Sequence, residues 1–170
     1  MLAENDTVSA RVGVLAAVAC QELFEAYDVK LVQNAPSPDN SDVQMMSGVM
    51  GFVGTRLRGT CLLACATGAL EASCPPGGRP RDWVGELTNQ LVGRLKTKLL
   101  ARGVEVFVTT PIVLTGARIR PVPRGMLQPA TFASPHGGVL VWVEAESGRD
   151  LTLSTEAPVP NTGEGDILIF

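Results

Sequence analysis

Histidine is nearly missing from this chain: His136, in a Ser-Pro-His-Gly-Gly turn, is the only one in 170 residues. A Ser-His-Asp or Cys-His centre needs an imidazole held against its nucleophile, so both are disfavoured. The four cysteines, Cys20, Cys61, Cys65 and Cys74, show no zinc-type pairing. They are expected to be free, buried thiols in a reducing cytoplasm. Acidic residues number 17 against 14 basic, so the basic excess of a nucleic-acid surface is lacking. No apolar run approaches the roughly 20 residues that span a bilayer. No glycine loop that would cradle a phosphate and no metal-ligand cluster is visible, which leaves a self-contained small-molecule enzyme with little support. Neither nucleic acid nor membrane is expected as a partner.

What is present is apolar: 45% of residues are hydrophobic and 18% charged, the composition of a globular domain with a substantial core. A single domain over 1–170 is expected, with residues 1–6 as a loose terminus and 156–170 as an edge strand or tail. Val12 to Cys20 ends in Ala-Val-Ala-Cys, as a lipoprotein leader does. The residues before it carry Glu4 and Asp6 with a single basic residue, Arg11, whereas an export signal wants a positive leader. The stretch is read as part of a core helix, capped by Thr7 or Ser9 and running to about Tyr27, with Val8, Val12, Leu15, Val18, Ala19, Leu23 and Ala26 available for burial.

Pro36 and Pro38 break that helix. Val43 to Val53 reads as a strand interrupted by Gly48 and Gly51, 54–59 as a turn, and Thr60 to Ala66 as a strand buried on both faces, the two strands forming a hairpin. A short helix over 67–73 and a proline–glycine loop follow. Beyond the next helix, Val104 to Thr110 alternates as a half-buried strand, Pro111 and Gly116 frame a turn region, and 121–129 is a proline-rich loop. Strands are expected over 130–133, 138–146 and 151–155. Too few crossovers exist for a doubly wound sheet. The expected class is α+β: a mixed, largely antiparallel sheet with two long helices packed against it. Helix followed by hairpin occurs twice, which hints at an internal duplication.

The rest is organised around the stretch from Asp82 to Lys98. Val84, Leu87, Leu91, Leu95 and Leu99 recur at three- and four-residue steps and form one stripe of a helix. At about 100° per residue, Glu86, Asn89 and Gly93 fall on the opposite side. The carboxylate and the carboxamide, three residues apart, stand side by side facing outward. Asp82 is a fair N-cap, and Pro80 an equally good first helical residue. With Asp82 as the cap, Glu86 is one residue too far along to close a capping box, so its carboxylate has no local task. Arg94, Lys96, Lys98 and Arg102 make the far end positive. That complements the helix dipole, or steers an acidic partner. On spacing alone, a Glu-x-x-Asn pair is usually just a solvated face.

The whole stretch 86–99 nevertheless resembles the signature of the CheC/CheX/FliY phosphatases of bacterial chemotaxis, and CheX most. That pattern is an acid or serine, a glutamate four residues on, an asparagine three further, and a proline about 20 residues later. Asp82, Glu86, Asn89 and Pro111 occupy those places here. Gly93 and Lys96-Thr97 match the continuation in CheX-like members, and the segments around Gly48–Gly59 and Val104–Gly116 are also similar. The resemblance covers roughly 43–145. The motif occurs once; the first helix has Glu22 and Glu25 but no Glu-x-x-Asn.

The resemblance implies a CheC-like fold and a phosphatase acting on phospho-aspartate in a CheY-like response regulator. In that mechanism Asn89 orients the attacking water, Glu86 pairs with the regulator's lysine, and Asp82, Gly93 and Lys96 are candidate contacts to the partner. The protein needs no cofactor of its own, Mg²⁺ coming with the regulator. A homodimer is expected because CheX relatives pair. The competing reading is a non-catalytic module that binds a receiver domain or dimerises as a scaffold.

Overall fold

A computed structural model describes residues 2–33, 44–117, 122, 128–148, 151 and 153. The chain runs α1 (Leu2–Glu25), β1 (Val32–Gln33), β2 (Gln44–Val53), β3 (Leu57–Ala66), α2 (Thr67–Ser73), α3 (Pro80–Leu100), β4 (Phe107–Val108), β5 (Ile112–Ala117), β6 (Ala130–Ser134) and β7 (Gly137–Ser147). The strands form one seven-stranded sheet in the order β1-β6-β7-β3-β2-β4, with β5 also on β2. Every pairing among the described residues is antiparallel. This agrees with the expected α+β class, a mixed, largely antiparallel sheet with two long helices packed against it. Two halves are visible, α1-β1-β2-β3 and α3-β4/β5-β6-β7. The first strand of each half pairs with the second strand of the other, and the third strands, β3 and β7, meet at the centre. This is the topology an internal duplication would leave.

Helices α1 and α3 lie on one face of the sheet, over β7 and β2 respectively, and touch each other. The main core forms between these layers. Leu87, Leu91, Leu95 and Leu99 of α3 meet Val12, Leu15, Ala19 and Leu23 of α1 and Met50, Cys61, Leu63 and Cys65 of the sheet. Odd-numbered β3 residues face this core. Leu62 and Ala64 join Trp142 in a smaller cluster on the other face, so β3 is buried on both sides, as its unbroken apolar run implies. Ser9, within α1 and buried, accepts a 2.8 Å hydrogen bond from the Ala145 amide and ties the helix to β7.

Several boundaries differ from expectation. Helix α1 begins at Leu2, ahead of Thr7 and Ser9, and ends at Glu25, with Val18 and Ala26 exposed. β2 runs unbroken through Gly48 and Gly51. These glycines admit close neighbours: a Cβ on Gly48 would lie 1.9 Å from Thr88 Oγ1, and one on Gly51 3.2 Å from Thr109 Cγ2. The turn after β2 is shorter, since β3 starts at Leu57. Of 104–110 only Phe107 and Val108 pair, although Val104 and Val106 are buried. The segment after Pro111, read as a turn, is strand β5 on the edge of β2. Val32–Gln33 pairs with β6, too short a strand for periodicity to reveal. Leu151 and Leu153 are buried; the other residues of the strand expected over 151–155 fall outside the described residues. The expected tail at 156–170, and most of the proline loop, fall outside the described residues. Among the described residues no helix is long and apolar enough to cross a membrane.

Candidate functional site

Helix α3 opens with Pro80 as its first residue, so Arg79 and not Asp82 holds the cap position. Proline suits that place because its fixed φ is already helical and its missing N–H would have had no partner. Asp82 lies in the first turn, near the positive end of the dipole. Its Oδ2 accepts a 2.7 Å hydrogen bond from Arg79 Nε. Both partners are well exposed, so this pair adds little stability.

The depth at which α3 sits is set by Thr88. This residue is completely buried, and its hydroxyl donates to the Val84 carbonyl at 2.7 Å. It rests on the bare backbone of Gly48. One turn earlier Gly85 packs against the Val113 side chain of β5, whose Cγ2 would lie 3.2 Å from a Cβ at that position. With its buried face so fixed, the helix turns Asp82, Glu86 and Asn89 outward, and all three are exposed.

The opposing wall is the sheet edge. β5 pairs with β2 up to Val49 opposite Ile112, and β4 resumes with Phe52 opposite Val108. Thr109, Thr110 and Pro111 thus face only Met50 and Gly51: one residue too many, a bulge. Proline, which has no N–H to give the ladder, is tolerated there. Thr109 holds the bulge to β2. Its amide donates to the Gly51 carbonyl, and its Oγ1 accepts from the Gly51 amide, both at 2.9 Å.

Between helix and bulge lies an open cleft of about 550 Å³, lined by Arg81, Asp82, Gly85, Glu86, Asn89, Met50, Val108, Val113 and the bulge residues 109–111. The four positions of the signature, Asp82, Glu86, Asn89 and Pro111, therefore meet in one place. The Glu86 carboxylate accepts a 2.9 Å hydrogen bond from Gln90 Nε2, and Gln90 Oε1 accepts one of 2.9 Å from the Tyr27 hydroxyl. The sequence reading missed Thr109, Gln90 and Tyr27. Among the described residues nothing is bonded to the Asn89 carboxamide, which leaves its donor and acceptor available.

Gly93 and Lys96 lie further along the helix and do not line the cleft. Gly93 is exposed, and a Cβ there would meet nothing within 4 Å, so this chain's own packing does not require glycine. Lys96 Nζ sits 5.9 Å from the centroid of the Phe107 ring. Of the other basic residues, Lys98 pairs with Glu22 at 2.8 Å, and Arg102 donates to the Lys98 carbonyl at 2.8 Å, as cations at a helix end do. Among the described residues no group of three or more His, Cys, Asp and Glu side chains could hold a metal. Burial pushes the Cys61 thiol up to about 12 and that of Cys65 well above its ordinary value. Cys20 is raised too, by burial first and then by the neighbouring Cys65 and Cys61. These thiols are inert core residues, not nucleophiles.

No family model matches the sequence, and no curated protein matches it significantly. The fold is a known one: an antiparallel sheet with two long helices on one face, the architecture of the CheC/CheX class. Among solved structures, CheX from Vibrio vulnificus matches with a TM-score of 0.65 and 23% identity, over 78% of this chain and 94% of that one. A CheC-like protein from Shewanella sp. PV-4 matches with a TM-score of 0.68 and 22% identity, over 81% and 98%. A third match, at 0.56 and 14% identity over 82% and 98%, is the CheX-CheY-BeF3-Mg²⁺ complex from Borrelia burgdorferi. At these identities the likeness is one of fold.

Proposed function

We propose that this protein is a phosphatase that accelerates hydrolysis of phospho-aspartate on a CheY-like receiver domain. The observation that carries the reading is the convergence of Asp82, Glu86, Asn89 and Pro111 on one open cleft. The cleft is open to solvent, as suits a site whose other half comes with the substrate protein. The fold shared with a CheX that forms a complex with CheY adds support.

In the reaction, water attacks phosphorus, the bond from phosphorus to the aspartyl oxygen breaks, and inorganic phosphate and the free carboxylate leave. Asn89 enters the receiver's site and holds the water in line, its carbonyl accepting from the water. It takes no proton. Glutamine has the comparable task in small GTPases. Glu86 forms a charge-assisted bond to the receiver's lysine and fixes the register of docking. Asp82, at the cleft mouth, is a secondary contact. The Mg²⁺ that neutralises phosphoryl charge belongs to the receiver. Two copies of the chain pair through the side of the sheet formed by β4 and β5, where Val53, Phe107, Ile112 and Leu114 share a face that is exposed and apolar among the described residues.

The test is the decay of phosphorylated receiver with wild type, Asn89→Ala and Glu86→Ala. Asn89→Ala is expected to lower the maximal rate on the order of 100-fold with affinity nearly intact. Glu86→Ala is expected to raise KM at least tenfold, the cost of losing a hydrogen bond to a charged group. A wild-type protein that binds the receiver without hastening decay would identify the non-catalytic module instead.

A further inference from the structure

Glu86 is held by a relay that starts in the turn closing α1. Tyr27 lies in the turn after α1, where Asp28 adopts a φ of +60° and the Val29 amide donates to the Phe24 carbonyl at 3.0 Å. That reversal closes α1 and places the Tyr27 ring against α3. The ring meets Trp83 edge-on, with centroids 5.0 Å apart at 90°. Trp83 is itself pinned by a 3.0 Å hydrogen bond from its Nε1 to Ser73 Oγ, and Ser73 donates back to the carbonyls of its own helix. Both rings are therefore fixed, and the Tyr27 hydroxyl reaches Gln90 at a defined point.

The chemistry gives the relay one direction. An ionised carboxylate only accepts, so Gln90 must turn its NH₂ to Glu86. Its carbonyl oxygen then faces Tyr27, whose hydroxyl donates. Gln90 is half-buried and Glu86 exposed. The relay thus carries order from the core to a side chain that would otherwise sample several rotamers in solvent. We infer that Tyr27, acting through Gln90, is a positioning residue that pre-orders the Glu86 carboxylate for docking. The inference deepens the phosphatase reading and rests on it. Ordering a long side chain before contact removes an entropy cost from binding, and does nothing for the chemical step.

The experiment compares decay kinetics of an acetyl-phosphate-labelled CheY receiver with wild type, Tyr27→Phe, Glu86→Ala and the double variant. Tyr27→Phe keeps the ring and its contact with Trp83, so the fold is retained. It is expected to raise KM on the order of fivefold with kcat unchanged. In the Glu86→Ala background the same change is expected to do nothing further, because its effect runs through the side chain at 86. Side-chain amide relaxation of Gln90, read by NMR, is expected to show an ordered NH₂ in wild type and a mobile one in Tyr27→Phe. An active wild type with unchanged KM in Tyr27→Phe overturns the relay, as does an equal KM effect in both backgrounds or a mobile Gln90 in wild type. A wild type that hastens no decay overturns the phosphatase reading, and with it the docking role assigned here.

Discussion

Gly48→Ala tests how the site is held. The new Cβ would stand 1.9 Å from Thr88 Oγ1 and 2.8 Å from Thr88 Cβ. Neither atom can yield easily, because Thr88 is fully buried and its hydroxyl is bonded to Val84 at 2.7 Å. Either α3 lifts from β2 or the strand bends, and overpacking of this kind costs about 3 kcal/mol at the upper end of its usual range. For a chain of this length that is a fall in Tm of roughly 6–12 °C. Lifting α3 also widens the cleft and displaces Asn89, so the turnover proposed for this site should fall together with stability. Thr88→Ala in the same chain removes the 1.9 Å contact but leaves the 2.8 Å one, so it should restore part of the loss. The assay is thermal unfolding by circular dichroism for both single variants and the double variant, analysed as a cycle. An unchanged Tm for Gly48→Ala, or losses that simply add in the double variant, would refute the account of how α3 is seated.

Burial keeps the Cys61 proton in the folded state while the unfolded chain ionises, so this contribution to stability is whole below about pH 9 and is lost as pH rises through about 12. Cys61→Ala is expected to lessen the fall of unfolding free energy by roughly 1 kcal/mol per pH unit above pH 9, with denaturant titrations as the measure; an unaltered slope contradicts it. Light scattering after size exclusion should give twice the 17.9 kDa chain mass. Ile112→Glu, on the exposed apolar face at β4 and β5 and 63% exposed in the single chain, should halve it, and a monomeric wild type removes the proposed pairing.

Local pattern carried the reading a long way. The leucine stripe of α3 alone dictates which side of the helix is buried, and a 100° step per residue then sends Glu86 and Asn89 outward together. The unbroken apolar run of β3 announced a strand covered on both faces. In the same way, two helix–hairpin units foreshadowed the two-half sheet. Where the reading failed, the deciding partner was distant in sequence. Gly48 and Gly51 looked like breaks in a strand, yet each is a seat for a threonine some 40–60 residues away. Asp82 looked like a cap until Pro80 took the first turn and Arg79 took its carboxylate.

What the sequence by itself determined is which residues each element can bury and which it must show to solvent, because helical and strand periods are properties of the local backbone. What only the tertiary structure decided is which exposed groups face one another. Pro111 became a wall of the cleft through a one-residue slip in register against β2, and Tyr27 came to govern Glu86 by reaching across 63 residues to Gln90. Such encounters depend on strand pairing and helix docking, which are settled by packing over the whole molecule and leave no periodic trace in the chain.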